Sequence, residues 1–350
     1  MCLSHREVAE AMVAWVKLLS RNYWSLNSTW SFYPARYVPD VLNILDPDHR
    51  ARTHPRQAKQ DDTSSRVRNV QIKYDDIASM TQELERHNIH TLISAIGLVS
   101  EETSQSQLNL IEAADRSAST KRFIPSEYSF IQTSEYVEVS ENVHYVLTVY
   151  HSLLSIDPSI QWWLDAAERL KTSSLQYTRV IPGFFMDYWG MPKVKTHLQP
   201  FTFGIDIASG TAAIPGDGNN VICMTYTYDL ATYLVKALDL DEWPEFSIFV
   251  GDEVTYNQIL GMAEEFTGKK FKITYDSLEQ IQAGNVTIPT QPEGVDSSSD
   301  DLKEITALVS RLTVNNVFDL PKDRLSDQFS EVKPLTVREF LHNAWYQSKA

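Results

Sequence analysis

Four pairs of titratable side chains stand close enough in the sequence to invite a chemical reading: His87 with His90, His144 with His151, Asp61 with Asp62, and Asp300 with Asp301. Two histidines three apart can share a zinc ion, but a helix end is predicted between His87 and His90. No Cys or carboxylate pattern completes a tetrahedral set, so the pair reads as a solvated helix end and no metal is expected. His144 and His151 recur at a helical repeat and read as packing or capping residues. The acidic pairs read as solvated loop charges. No G-x-S-x-G elbow and no phosphate-loop lysine motif occurs, which leaves a hydrolase or an NTPase without positive support. None of the sixteen tyrosines is followed by a lysine four residues on, so the tyrosine–lysine pair that relays protons in many reductive enzymes is absent.

The elements that would carry a site begin at Arg66. Val70, Ile72 and Tyr74 alternate as in a strand with one buried face. Asp75 or Asp76 can cap a helix bearing Ile77, Met80 and Leu84, and Asn88 suits its end. His90 to Ile96 reads as a buried strand closed by Gly97. In the helix that follows, Glu101 and Glu102 suit the positive end of the dipole, and Leu108, Ile111 and Ala114 form the buried stripe. Arg122 to Pro125 is a short strand. Past an acidic stretch from Glu135 to Glu141, a helix carrying Ile160, Trp163, Ala167 and Leu170 leads into a strand and exit turn from Leu175 to Phe185. Strands joined by helical crossovers imply a parallel sheet. The second half is mixed. Ala213 to Asp217 runs into a Gly-Asp-Gly turn, and a helix with Leu230, Leu234 and Leu238 follows. Thr255 with Gln258 and Thr336 with Glu339 form capping-box pairs, and Gly268 ends the first of these helices. Residues 291–301 are polar and read as a surface loop.

The chain has 350 residues, 43% of them hydrophobic, enough for one large core and a smaller one. Its net charge of -15 repels nucleic-acid phosphates and anionic membranes, so neither is expected as a partner. No apolar run reaches the length of a membrane span. Cys2 and Cys223 cannot build a disulfide framework, and a cytoplasmic setting is the simplest expectation.

Taken in order, the segments HTLISAIG, KRFIPSEYS, LQYTRVIPGFF, IPGDGN, TYTYDLATYLVKALDL and PLTVREFL resemble those of the NmrA-like, isoflavone-reductase-like proteins of fungal type, which are atypical short-chain dehydrogenases. Each segment alone is unspecific, and their collinearity from about residue 66 to 345 carries the resemblance. The resemblance implies an α/β fold: a Rossmann-type doubly wound parallel sheet over 1–183, with residues 1–65 divergent, and a smaller mixed α/β substrate domain over 184–350. Parts of 220–250 would return to the Rossmann sheet. NADPH would lie across the carboxyl ends of the strands.

By position, the resemblance places Ser94, Ala95, Ile96 and Gly97 where the adenosine half of NADPH passes; an ordinary strand end is the alternative. Pro125, Ser126, Glu127 and Tyr128 fall near the ribose and nicotinamide, with helix capping the other reading of Ser126 and Glu127. Pro182, Gly183, Phe184 and Phe185 either face the nicotinamide ring or form a buried aromatic corner.

Two departures qualify the expectation. No glycine precedes Gly97, so no glycine-rich turn can present backbone N–H groups to a pyrophosphate. His5 to Val16 can correspond to the first helix, with the first strand missing, or the amino terminus is misassigned. Trp163 stands where these reductases carry a catalytic lysine, and an indole does not titrate usefully. Lys171, two turns later, reads as a solvated lysine, which leaves Tyr128 as the nominated proton donor. The implied function is an NADPH-dependent oxidoreductase acting on a small aromatic or secondary metabolite. Its rival is a non-catalytic regulator that senses NADP or binds a protein partner; a homodimer is compatible with either.

Overall fold

The computed structural model describes residues 41–45, 67–98, 100–132 and 160–346. The predicted helix from His5 to Val16, the pair Asp61 and Asp62, the acidic stretch from Glu135 to Glu141, and His144 and His151 lie outside the described residues. The chain forms two compact bodies. The described residues of the first fall within Met1–Ser126, Asp165–Arg179 and Leu234–Glu245; those of the second fall within Glu127–Leu164, Val180–Tyr233 and Phe246–Ala350.

In the first body, β1 (Val41–Leu45) pairs antiparallel with β2 (Val67–Gln71), in a register running from Val41 opposite Gln71 to Leu45 opposite Val67. The strand predicted through Val70, Ile72 and Tyr74 thus ends earlier, where the Asp76 N–H turns back to the Lys73 carbonyl. The alternation persists past it, with Ile72 buried between exposed Gln71 and Lys73. Helix α1 (Ile77–Arg86) starts at Asp76, whose carboxylate accepts the Ser79 N–H at 2.9 Å, and buries Met80 and Leu84. Asn88, at φ 50, turns the chain out of it. Strand β3 (Thr91–Ile93) leads to α2 (Glu101–Arg116), begun by a reciprocal Ser100–Thr103 capping box. Its buried face is Leu110, Ile111, Ala113 and Ala114.

β4 (Arg122–Ile124), α3 (Ile160–Lys171) and β5 (Gln176–Tyr177) follow. The three strands form a parallel sheet in the order β3-β4-β5, as the helical crossovers require. Arg169 grips both Glu112, at 2.5 Å, and Asp115, at 2.8 Å. Its hydrogen bond is the chief reason the Glu112 carboxyl titrates below its usual range. Arg169→Leu is expected to cost about 1 kcal/mol at low salt, because both carboxylates keep some solvent. Urea melts should show the cost shrinking in about 1 M salt, where the Debye length falls to roughly 3 Å. A salt-independent loss would assign the effect to packing instead. Arg122 ties β4 to the end of a later helix, donating to the Leu238, Leu240 and Asp241 carbonyls with its guanidinium 4.7 Å from the centre of the Trp243 ring.

The second body contains β6 (Arg179–Ile181), β7 (Phe184–Phe185), α4 (Asp187–Gly190), β8 (Ile205–Asp206), β9 (Thr211–Pro215) and β10 (Ile222–Thr225). α5 (Thr227–Leu238) begins in the second body and its residues from Leu234 on belong to the first; the second body continues through β11 (Phe246–Ile248), β12 (Asp252–Val254), α6 (Tyr256–Thr267), β13 (Lys272–Asp276), α7 (Leu278–Gln282), α8 (Asp300–Val314) and α9 (Val337–Trp345). β10 lies between β12, which runs antiparallel to it, and β7, which runs parallel. β9 lies between β8, antiparallel, and β13, parallel, which leaves β13 at an edge among the described residues. Lys272 to Tyr275 are all exposed there, including Ile273 and Tyr275. The capping boxes of Thr255 with Gln258 and Thr336 with Glu339 are present, and Gly268 ends α6 in the left-handed conformation. The whole is a mixed α/β fold with parallel strand pairs in both bodies.

Candidate functional site

The first body gathers Ser94, Ala95, Ile96, Gly97, Pro125 and Ser126. β3 and β4 are in register from Thr91 opposite Arg122 to Ile93 opposite Ile124, and the Ser94 N–H extends that ladder by donating to the Ile124 carbonyl at 2.8 Å. The chain past β3 keeps a two-residue alternation. Leu92, Ser94, Ile96 and Leu98 are buried, whereas Ala95 and Gly97 remain part-exposed. Of the residues predicted to pass the adenosine half, Ala95 and Gly97 therefore offer an accessible face, and Ser94 and Ile96 help to hold the strand end in the core. Pro125 and Ser126 turn inward directly after β4.

The Ser126 N–H finds its acceptor on α2, in the side-chain oxygen of Gln107 at 2.9 Å. Gln107 is 1% exposed, and its Nε2 has no hydrogen-bond partner. Sequence reasoning missed this residue, although the signal was there: Gln107 stands four residues before Ile111 and seven before Ala114, a polar side chain on the apolar face of a predicted helix. A buried donor without an acceptor is costly, which makes this corner fit for a polar ligand that carries acceptor oxygens.

The second body holds Glu127, Tyr128, Pro182, Gly183 and Phe184. Glu127 and Tyr128 are both buried, the tyrosine to 1% exposure. Gly183, at φ +70, donates its N–H to the Ser129 carbonyl at 3.0 Å. The close approach that this glycine permits is to β10: a Cβ built on it would stand 2.3 Å from the Cys223 carbonyl oxygen. Phe184 is packed edge-on against Phe203, Phe318 and Tyr188 at centroid distances of 5.0, 5.1 and 6.0 Å, with Trp189 at 5.2 Å. Trp163 lies in α3 with its side chain part-buried.

One titratable group of this body was not anticipated. Asp187, the first residue of α4, is fully buried and accepts three hydrogen bonds: from the Thr196 hydroxyl at 2.6 Å, the Thr227 hydroxyl at 2.7 Å and the Thr227 N–H at 3.1 Å. Burial pushes its carboxyl up to about 6, against the opposing pull of those hydrogen bonds. Asp229, one turn into α5, is likewise raised to about 6, chiefly by burial, with the Asp187 charge adding to it and a hydrogen bond from the Leu335 N–H opposing. The Asp187 carboxylate joins the chain after β7 to the start of α5. His87 closes α1 and the His90 ring bonds the Thr91 hydroxyl, so these two histidines serve local ends.

No family model matches the chain. The oxidoreductase swnN of Metarhizium robertsii is 29% identical to it over 284 residues, which cover 78% of this chain and 83% of that protein. The oxidoreductase BOA1 of Botryotinia fuckeliana is 37% identical over 205 residues, 59% of this chain and 63% of its own. The isoflavone reductase homolog IRL of Zea mays is 26% identical over 190 residues, 52% and 54% of the two chains. Among solved structures, the binary complex of leucoanthocyanidin reductase with NADPH from Vitis vinifera superposes with a TM-score of 0.53 over 77% of this chain and 82% of that one, at 14% identity.

Proposed function

We propose, from the premise that this chain is isoflavone-reductase-like (NmrA-like) in sequence and in fold, that it is an NADPH-dependent oxidoreductase reducing a small aromatic or secondary metabolite. The observation that carries the reading is the pair of parallel strand ends in the first body. Doubly wound sheets take their ligands beyond the carboxyl ends of parallel strands. There the half-buried Ala95 and Gly97 would pass the adenosine half, while Pro125 and Ser126 would stand near the ribose. Oxidoreductase relatives and an NADPH-bound neighbour of the same fold support the choice of ligand. Bound NADPH supplies a hydride. The chain's part is to hold the acceptor, and within the second body the packed rings around Phe184 form an apolar cluster of a chemistry suited to an aromatic molecule. Tyr128, or water, would supply the proton.

A second reading is favoured by Trp163, which stands where the reductases carry a lysine. A protein with an indole there and a deeply buried Tyr128 can sense NADP or bind a partner without turnover. Calorimetric and fluorescence titration with NADPH and NADH separates the cases when joined to an oxidation assay on a panel of enones and phenolic alkenes. Micromolar NADPH binding with oxidation on any member supports the reductase; binding without oxidation supports the sensor; no binding by folded protein removes both. Trp163→Lys is expected to raise turnover at least tenfold over the parent on a shared substrate. A variant that binds NADPH as the parent does and gains nothing would disconnect that position from catalysis.

A further inference from the structure

We propose that Gln107 seats the dinucleotide, its Oε1 holding the Ser126 amide and its Nε2 donating to an acceptor oxygen of the ligand at the carboxyl ends of β3 and β4. The inference rests on the reading that the chain binds NADPH, and it assigns a residue on α2 to that site. The orientation of the carboxamide is fixed by chemistry. The Ser126 N–H donates at 2.9 Å, so the atom facing it must be the acceptor oxygen. Reversing the amide would set donor against donor. The NH2 group therefore stands on the side away from Ser126, buried and without a partner.

Its position is equally constrained. Ser126 follows Ile124 by two residues, Ile124 is opposite Ile93, and the Ser94 N–H donates to the Ile124 carbonyl. The carboxamide thus stands where two adjacent parallel strands end, on the helix that crosses between them. A buried amide donor left unmet destabilises a protein, a cost the fold carries here alongside the hydrogen bond that the same side chain accepts from Ser126. An acceptor that arrives with a ligand removes the cost on binding. Ribose hydroxyls and phosphate oxygens both provide it.

The test titrates wild type, Gln107→Glu and Gln107→Leu with NADP+, the acid-stable form, from pH 5 to pH 9, alongside apo melting temperatures. In Gln107→Glu the oxygen that receives the Ser126 N–H is kept at every pH. The donor is present only while the introduced carboxyl is protonated. Its affinity relative to wild type is therefore expected to approach parity at the acid end and to fall about tenfold as the carboxyl ionises. Gln107→Leu is expected to bind at least tenfold more weakly at every pH. Wild-type binding with Gln107→Leu within twofold of it would overturn the inference alone. So would a loss in Gln107→Glu that is equal at all pH values and matched by a lower apo melting temperature, since that marks a purely structural role. Failure of folded wild type to bind would overturn the NADPH reading itself, and the inference with it.

Discussion

Gly183→Ala is expected to lower the stability of the second body by about 2 to 5 kcal/mol. Two costs add. At φ +70 an L-residue costs roughly 1 to 2 kcal/mol. The new Cβ would also meet the Cys223 carbonyl, its oxygen at 2.3 Å and its carbon at 3.0 Å. That carbonyl belongs to β10, held between β7 and β12, so relief requires strands to part and no side chain can simply swing aside. Overpacking of this kind costs roughly 1 to 3 kcal/mol. Gly268→Ala is the matched control. It has φ +66 but nothing within 4 Å of its ideal Cβ, so only the backbone cost applies. Urea unfolding of the pair should move the midpoint of the Gly183 variant about twice as far or more. Equal shifts would mean that the approach to Cys223 governs nothing.

Asp187 sets a second large expectation, this one in pH. Its folded value of about 6 lies above its ordinary 3.8, so the folded chain binds a proton that the unfolded chain releases. The associated stability is fully present below pH 3.8 and is lost as pH rises through 6. Between pH 7 and pH 5 this one carboxyl should add about 1.4 kcal/mol. Asp229, raised by the same cause, adds a similar slope over the same window. Asp187→Asn keeps an acceptor for the Thr227 N–H and removes the charge, so urea melts at the two pH values should show roughly half the wild-type gain on acidification. Asp187→Ala leaves the Thr227 N–H and two hydroxyls without their acceptor. It is expected to cost about 2 to 4 kcal/mol at pH 5, where wild type is favoured. A wild-type protein that is less stable at pH 5 than at pH 7 would show the sign to be wrong.

What the sequence disclosed and what it withheld divide along the range of the interactions. Thr255 with Gln258, Thr336 with Glu339, Asp76 and Gly268 were legible because a cap is decided within four residues by local hydrogen bonds and dihedral angles. The βαβ order around β3, α2 and β4 was legible from periodicity, and their parallel pairing from the handedness of crossovers. Pairings such as β9 with β13 were not, because the partner is chosen across 60 residues by burial that no local window records. The antiparallel partner of β2 was hidden for the same reason. Asp187 and Gln107 were overlooked as single polar residues among apolar ones. Gln107 could have been read from its place on the apolar face of a predicted helix, whereas only its depth in the fold, and the Thr227 amide that meets it, distinguish Asp187 from a surface residue. Ala95 and Gly97 separate from Ser94 and Ile96 by an alternation that could have been projected beyond the strand end.

The edge position of β13 bears on how crowded molecules of this protein treat one another. A strand with one side unpaired among the described residues offers its amides and carbonyls as a template, and Ile273 and Tyr275 add exposed apolar surface to it. Lys269, Lys270 and Lys272 cluster at its start, in a chain whose overall charge is strongly negative. Two such edges brought together in parallel register would set Lys272 against Lys272. The lysines therefore act as gatekeepers against self-assembly into an extended ladder, and acetylation or neutralisation of them would weaken that colloidal safeguard while leaving every buried contact in place.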